Sequence, residues 1–250
     1  MEVHHHSHSA SGGKKWSHYL WEFLMLFLAV TLGFFVENQR EHYVEHQREK
    51  QFIQSLFNDL KKDTANLTRI INARNKKEYD LDSLSFLMNS DSSKQFIKQI
   101  YFYAVTASRT LYYRFVPNDG TMQQLKNSGA FRLIRKRNVV DSITTYDINV
   151  RNILSQWSVE ENLIDHYRDA STKIFDGRVF DKMIDENAGI IGLPEGTPHM
   201  QPYSEREFYE WNYRLYGMKV INKGNRRDLK LLLKQAEILL VVLKKEYHLE

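Results

Sequence analysis

Apolar positions along this chain follow two regimes. The run 19–36 reads YLWEFLMLFLAVTLGFFV, with Glu22 its only ionisable residue. Beyond Glu37 the apolar residues recur instead at spacings of three and four: Ile53, Leu56, Phe57, Leu60, Leu67, Ile70, Ile71, Leu81, Leu84 and Leu87. The first regime suits a helix surrounded by apolar material, the second a helix with one buried face. No proline or glycine interrupts 37–87. The pattern therefore predicts a membrane-spanning helix (16–37) that continues as a juxtamembrane stalk (38–90) and enters a helical core.

The apolar run is 18 residues long, and at about 1.5 Å per residue it reaches roughly 27 Å, close to the hydrocarbon thickness of a bilayer. Trp16, Tyr19 and Trp21 stand at one end, where aromatic rings favour the headgroup layer, and Glu37-Asn38-Gln39-Arg40 closes the other. The rival readings are a buried core helix and a secretory signal, but no small-x-small cleavage site follows the run. Glu22 falls in the first turn of the span. It is read either as an acid reaching the headgroups or as an ion-coupling carboxylate. Ala29 and Gly33 form a small-xxx-small pair through which two such helices could pack. Lys14 and Lys15 before the span are balanced by Arg40, Arg48 and Lys50 after it, so the charges leave the orientation tied.

Past the stalk, 89–93 (NSDSS) predicts a turn, and 94–114 a helix rich in core aromatics: Phe96, Tyr101, Phe102, Tyr103, Tyr112 and Tyr113. Pro117-Asn118-Asp119-Gly120 predicts a turn, Thr121 with Gln124 a capping box, and Gly129 the end of that short helix. One long helix is expected over 135–175, carrying Val139, Ile143, Val150, Ile153, Leu154, Trp157, Ile164 and Tyr167. Three of the four prolines fall in 187–203, the one extended loop. Ser204 with Glu207 predicts the next helix start, Gly224 a break, and 226–247 a final leucine-striped helix. The expected fold class is all-α: a transmembrane helix continuing into a stalk, then a bundle of long helices with one extended loop. The domains are a His-rich tail (1–15), the span (16–37), the stalk (38–90) and the helical soluble domain (91–250).

Composition narrows the chemistry. With no cysteine, thiolate catalysis, disulfides and cysteine-ligated metals are excluded. The net charge of +4 comes from interspersed charges, 35 basic against 31 acidic, which argues against a nucleic-acid partner. His4, His5, His6 and His8 could ligate a transition metal, or form a solvated tail. His42 and His46, four apart and near Glu45 and Glu49, could present two imidazoles and a carboxylate, but HYVEH is not the HExxH order of zinc proteases. The alternative there is a solvated helix laced with i,i+4 charge pairs. Arg132, Arg135, Lys136 and Arg137 make the densest basic cluster, which could meet phosphate, lipid headgroups or an acidic partner, or simply be a solvated helix start. No phosphate-cradling loop or nucleophile elbow is present and no cofactor is expected, so the sequence predicts a protein that is not an enzyme.

The segments MEVHHH, WEFLMLFLAVTLGFFVEN, REHYVEHQREKQFIQSLFNDLKKDT, TMQQLKNSGAFRLI and the terminal KKEYHLE together resemble a group of single-pass membrane proteins of unknown function common in Bacteroidota. The resemblance implies that the His-rich start and Leu249-Glu250 are native. It also implies that the tail is cytoplasmic and that the helical domain lies in the periplasm, beyond the bacterial inner membrane. It brings no activity, and it does not extend to the loop 187–203. The leading expectation is a membrane-anchored scaffold that assembles with itself or with an envelope complex. Two alternatives stand beside it. One is an accessory subunit of a transport or ion-driven machine, with Glu22 as coupling acid. The other is a ligand or metal sensor using the loop near His199 or the pair His42 and His46.

Overall fold

The computed structural model describes residues 16–91, 93–109, 113–187 and 189–249. The His-rich tail, including His4, His5, His6 and His8, lies outside the described residues, as do Tyr112 and Glu250. Among the described residues seven α-helices follow one another: α1 (Trp16–Met88), α2 (Ile97–Ala107), α3 (Gly120–Asn127), α4 (Arg137–Ser155), α5 (Trp157–Ser171), α6 (Gly177–Asp181) and α7 (Glu205–Tyr247). Among the described residues there is no strand beyond a single antiparallel bridge, Ile184 to Ile190, so the fold is all-α. The chain divides into two compact units, Met1–Lys50 and Gln51–Glu250.

In the first unit the described residues form one uninterrupted helical stretch, the N-terminal part of α1. In the second unit the stripe on α1 does what its spacing predicts: Ile53, Leu56, Phe57, Leu60, Leu67, Ile70, Ile71, Leu81 and Leu84 are all buried. The opposing stripe on α7 alternates strictly by four and three through Trp211, Leu215, Met218, Asn222, Asn225, Leu229, Leu232, Ala236, Leu239 and Leu243, every one of them buried. An alternation averaging 3.5 residues keeps one face of a long helix turned inward.

These faces enclose two apolar cores. One gathers Ile53–Ile71 of α1, Phe115, Met122, Leu125, the inner face of α4, Trp157 and Leu229–Leu243 of α7. The other gathers Leu81, Leu84, Met88, Ile100, Tyr101, Ile164, Tyr167, Phe175, Met183 and Trp211–Met218. Between them along both α1 and α7 lies a layer of buried polar side chains, Arg74 and Lys77 on one helix and Asn222 and Asn225 on the other.

Helix boundaries agree with the sequence where local chemistry decides them. Ser204 and Glu207 form the full capping box, each side chain bonded to the other's backbone N–H. Gly129 follows α3 with φ +67°, the left-handed conformation that glycine adopts without steric cost.

Four expectations are corrected. Thr121 does not cap α3. Asp119 holds the N-cap position without a side-chain bond to the helix backbone, and the Thr121 hydroxyl instead donates to Asp59 across to α1 at 2.6 Å. The helix expected over 94–114 is confined to Ile97–Ala107, with Phe96 at its N-cap. The helix expected over 135–175 is broken at Gln156, where the backbone tightens to a Gln156 N–H to Ile153 carbonyl bond of 3.1 Å and Trp157 turns into the core. Gly224 breaks nothing: α7 runs through it, held on both sides by buried Asn222 and Asn225.

Candidate functional site

The first unit offers one chemically distinctive surface. The most apolar 18-residue window of α1 is entirely unburied by the chain, and the helix is long and apolar enough to cross a membrane. A core helix of a soluble protein would have such residues covered, whereas here Phe23, Leu26, Val30, Phe34 and Val36 all stay exposed. Burying apolar side chains is worth about 25 cal/mol per Å², so a surface of this kind favours apolar surroundings. Glu22 lies 3.1 Å from the imidazole of His18 one turn earlier, with both side chains about half exposed. Ala29 and Gly33 face outward, and a Cβ added at Gly33 would meet nothing within 4 Å.

His42 and His46 do not converge on one site. Each lies along α1 near the carboxylate three residues on, His42 by Glu45 at 3.9 Å and His46 by Glu49 at 3.2 Å. Among the described residues no group of three or more His, Asp or Glu stands ready to hold a metal ion.

The basic cluster is split rather than pooled. Lys136 turns away to the end of α7, where it meets the Glu246 carboxylate at 3.0 Å, bonds the Glu246 carbonyl and sits over the Tyr247 ring. Lys136 and Asn138 beside it hold the Glu246 carboxyl below the usual range. Arg137 is 3.9 Å from Asp141, and Arg132 and Arg135 are exposed. Lys136 thus serves to tie α4 to α7.

The most elaborate electrostatic arrangement is the polar layer between the two cores. Arg74 forks onto Glu160, Nη1 to Oε1 at 3.1 Å and Nη2 to Oε2 at 2.8 Å. Its remaining donors reach Asn222 Oδ1 and the Tyr113 carbonyl, while Nε finds no acceptor among the described residues. Asn222 returns a bond to the Arg74 carbonyl at 3.1 Å, and Asn225 donates to Glu160 at 2.7 Å. Lys77 donates to the Arg109 carbonyl at 3.0 Å, 4.0 Å from Glu160 and 4.5 Å from the centre of the Tyr113 ring.

Two cations thus share one carboxylate in the interior. Burial, only partly offset by Glu160, pushes the Lys77 ammonium down to about 8. The signal for this layer was present in the sequence: Arg74, Lys77, Asn222 and Asn225 occupy inward positions of otherwise apolar stripes. The chemistry of the arrangement is that of a bonded layer that fixes how α1, α5 and α7 meet.

The extended loop forms the wall of a groove of about 420 Å³ lined by Ser93, Lys94, Ile97, Thr197, Pro198, His199, Met200 and Tyr203. Tyr101 anchors it, donating to the His199 carbonyl at 2.8 Å and accepting from the Asp176 N–H at 2.9 Å. Comparison of the chain with family models, with curated proteins and with solved structures returns no match.

Proposed function

We propose that this chain is a single-pass, membrane-anchored helical scaffold, not an enzyme, and that it works by assembly in a bacterial cell envelope. One observation carries the reading: the apolar stretch of α1 is left uncovered among the described residues, and a bilayer is the environment that covers it at least cost. The second unit supports a structural role, because its buried polar layer is bonded within itself, Arg74 forking onto Glu160 and Asn225 donating to the same carboxylate. The resemblance to single-pass proteins of Bacteroidota supports an inner-membrane location, with the tail cytoplasmic and the helical domain periplasmic. The exposed apolar side chains on the helices support assembly with itself or with other envelope proteins.

Reporter fusions at the two ends, combined with native mass determination of the detergent-purified full chain, test this. The reading requires a cytoplasmic-only reporter to work at the N-terminus, a periplasmic-only one to work at the C-terminus, and a mass above that of one chain. The same compartment at both ends, or a monomer that captures no envelope protein, overturns it.

A further inference from the structure

We infer that the end of the second unit at which the chain enters it is a docking surface for anionic phospholipid headgroups, carried by Arg132, Arg135 and Arg137 together with Lys244 and Lys245. The inference rests on the reading above that α1 anchors the chain, and names the lipid class and the residues that meet it.

Pairings between α1 and α7 fix which residues share that end. Asn89 meets Asn212 at 3.5 Å, Asp82 meets Lys219 at 2.7 Å, and Asn75 meets Arg226 at 2.8 Å. Each step of seven down α1 is thus a step of seven up α7, and the two helices run antiparallel. Three more such steps set Tyr247 beside Gln54, and Phe52 and Tyr247 indeed pack on the same core. The start of α4 joins them, because Lys136 and Asn138 both bond Glu246 at the close of α7.

This end is basic. In sequence, 130–137 and 244–250 hold six Lys and Arg against Glu246 and Glu250. Lys136 and Glu246 neutralise each other, while Arg132, Arg135, Arg137, Lys244 and Lys245 are all exposed. Asp141, 3.9 Å from Arg137, is the acid beside them on α4, and it too is exposed. Around the other end, where α1 stops and α7 starts, 176–210 holds eight Asp and Glu against three Lys and Arg. The second unit is therefore polarised along its long helices.

Chain connectivity selects lipid as the partner. The apolar run ends at Val36 and the second unit begins at Gln51. The fourteen residues between them are helical, so they span about 21 Å. Headgroups fill roughly the first 6 Å beyond the hydrocarbon, and the potential of an anionic surface extends about 8 Å further at physiological salt. Long lysine and arginine side chains close the remainder. Tethering makes the headgroups an intramolecular partner at high effective concentration, which an acidic protein in solution is not. Anionic lipid attracts the basic end and repels the acidic one.

The test uses the full chain, reconstituted into vesicles of phosphatidylcholine alone or with phosphatidylglycerol added, recovered by flotation, and acetylated with a neutral N-hydroxysuccinimide ester. Mass spectrometry reads Lys244 and Lys245 against Lys182, an exposed lysine of the acidic end. The chain is expected to float with both vesicles. In the anionic ones Lys244 and Lys245 should react about fivefold more slowly, the factor that corresponds to about 1 kcal/mol per cation near such a surface. Lys182 should be unchanged, and the slowing should vanish at about 1 M salt, where the Debye length falls to about 3 Å. Arg132→Gln combined with Arg137→Gln, both at exposed positions, should weaken the slowing; a full effect in that variant would overturn the shared surface. Equal rates in the two vesicles would overturn the inference, leave the anchor standing and turn the search to an acidic protein. Flotation with neither vesicle overturns both readings. Flotation with the anionic vesicles alone, with the same protection, keeps the lipid-binding end and overturns the anchor.

Discussion

Glu160 is a carboxylate with almost no contact with water, held by the fork of Arg74, by Asn225 and by the nearby Lys77. Removing its charge leaves two buried cations uncompensated, so Glu160→Gln is expected to cost about 3–5 kcal/mol in chemical unfolding of the second unit. Lys77 makes the opposite kind of contribution. Its folded pKa is lowered to about 8 from the ordinary 10.5. Below about pH 8 the group is protonated in both states, and its burial penalty is fully present. Between about 8 and 10.5 the unfolded chain holds a proton that the folded one has released, so stability from this group rises with pH. Thermal melts of the parent and of Lys77→Met should therefore converge in the parent's favour from pH 8 to pH 10. A constant difference across that range would show that Lys77 is not held this way.

Among the elements, α7 shows most clearly which features were legible. Its start was readable because a capping box is a local motif, and Ser204→Ala should cost about 1 kcal/mol, seen as a lowered melting temperature. Its continuity through Gly224 was not readable from breakers, because a glycine costs a helix only about 1 kcal/mol and the buried stripe on either side outweighs it. Gly217 makes the same point. A Cβ there meets only Leu163 at 3.8 Å, ordinary contact, so Gly217→Ala should stabilise the fold by about 0.5–1 kcal/mol in the same melts. The break at Gln156 was invisible for a different reason: no glycine or proline marks it, and tertiary packing of Trp157 sets it. The polar layer was legible in principle, since charges at inward positions of a stripe must find partners. Its partners could not be named, because Glu160 lies on a third helix far along the chain. We expect this layer to fix the register of α1 against α7. Replacing Arg74, Lys77 and Glu160 together by Met should keep helix content but broaden the side-chain spectra, whereas unchanged spectra would remove the register role.

For the whole molecule, what covers the first unit decides its role. The pairing of His18 with Glu22 places the acid at the aromatic end of the span, with a partner of its own. On the scaffold reading, Glu22→Gln leaves expression, membrane insertion and cell phenotype intact. Loss of phenotype at normal expression would favour a coupling role for Glu22 instead. The most direct measurement of the central claim is alkaline carbonate extraction of membranes from cells making the full chain, beside a variant in which Phe27, Leu28 and Phe34 are replaced by lysine. A membrane-anchored parent stays in the membrane pellet through carbonate and high salt and is released only by detergent, while the lysine variant moves to the supernatant. A parent chain released by carbonate alone would contradict the membrane anchor on which the rest of the account is built.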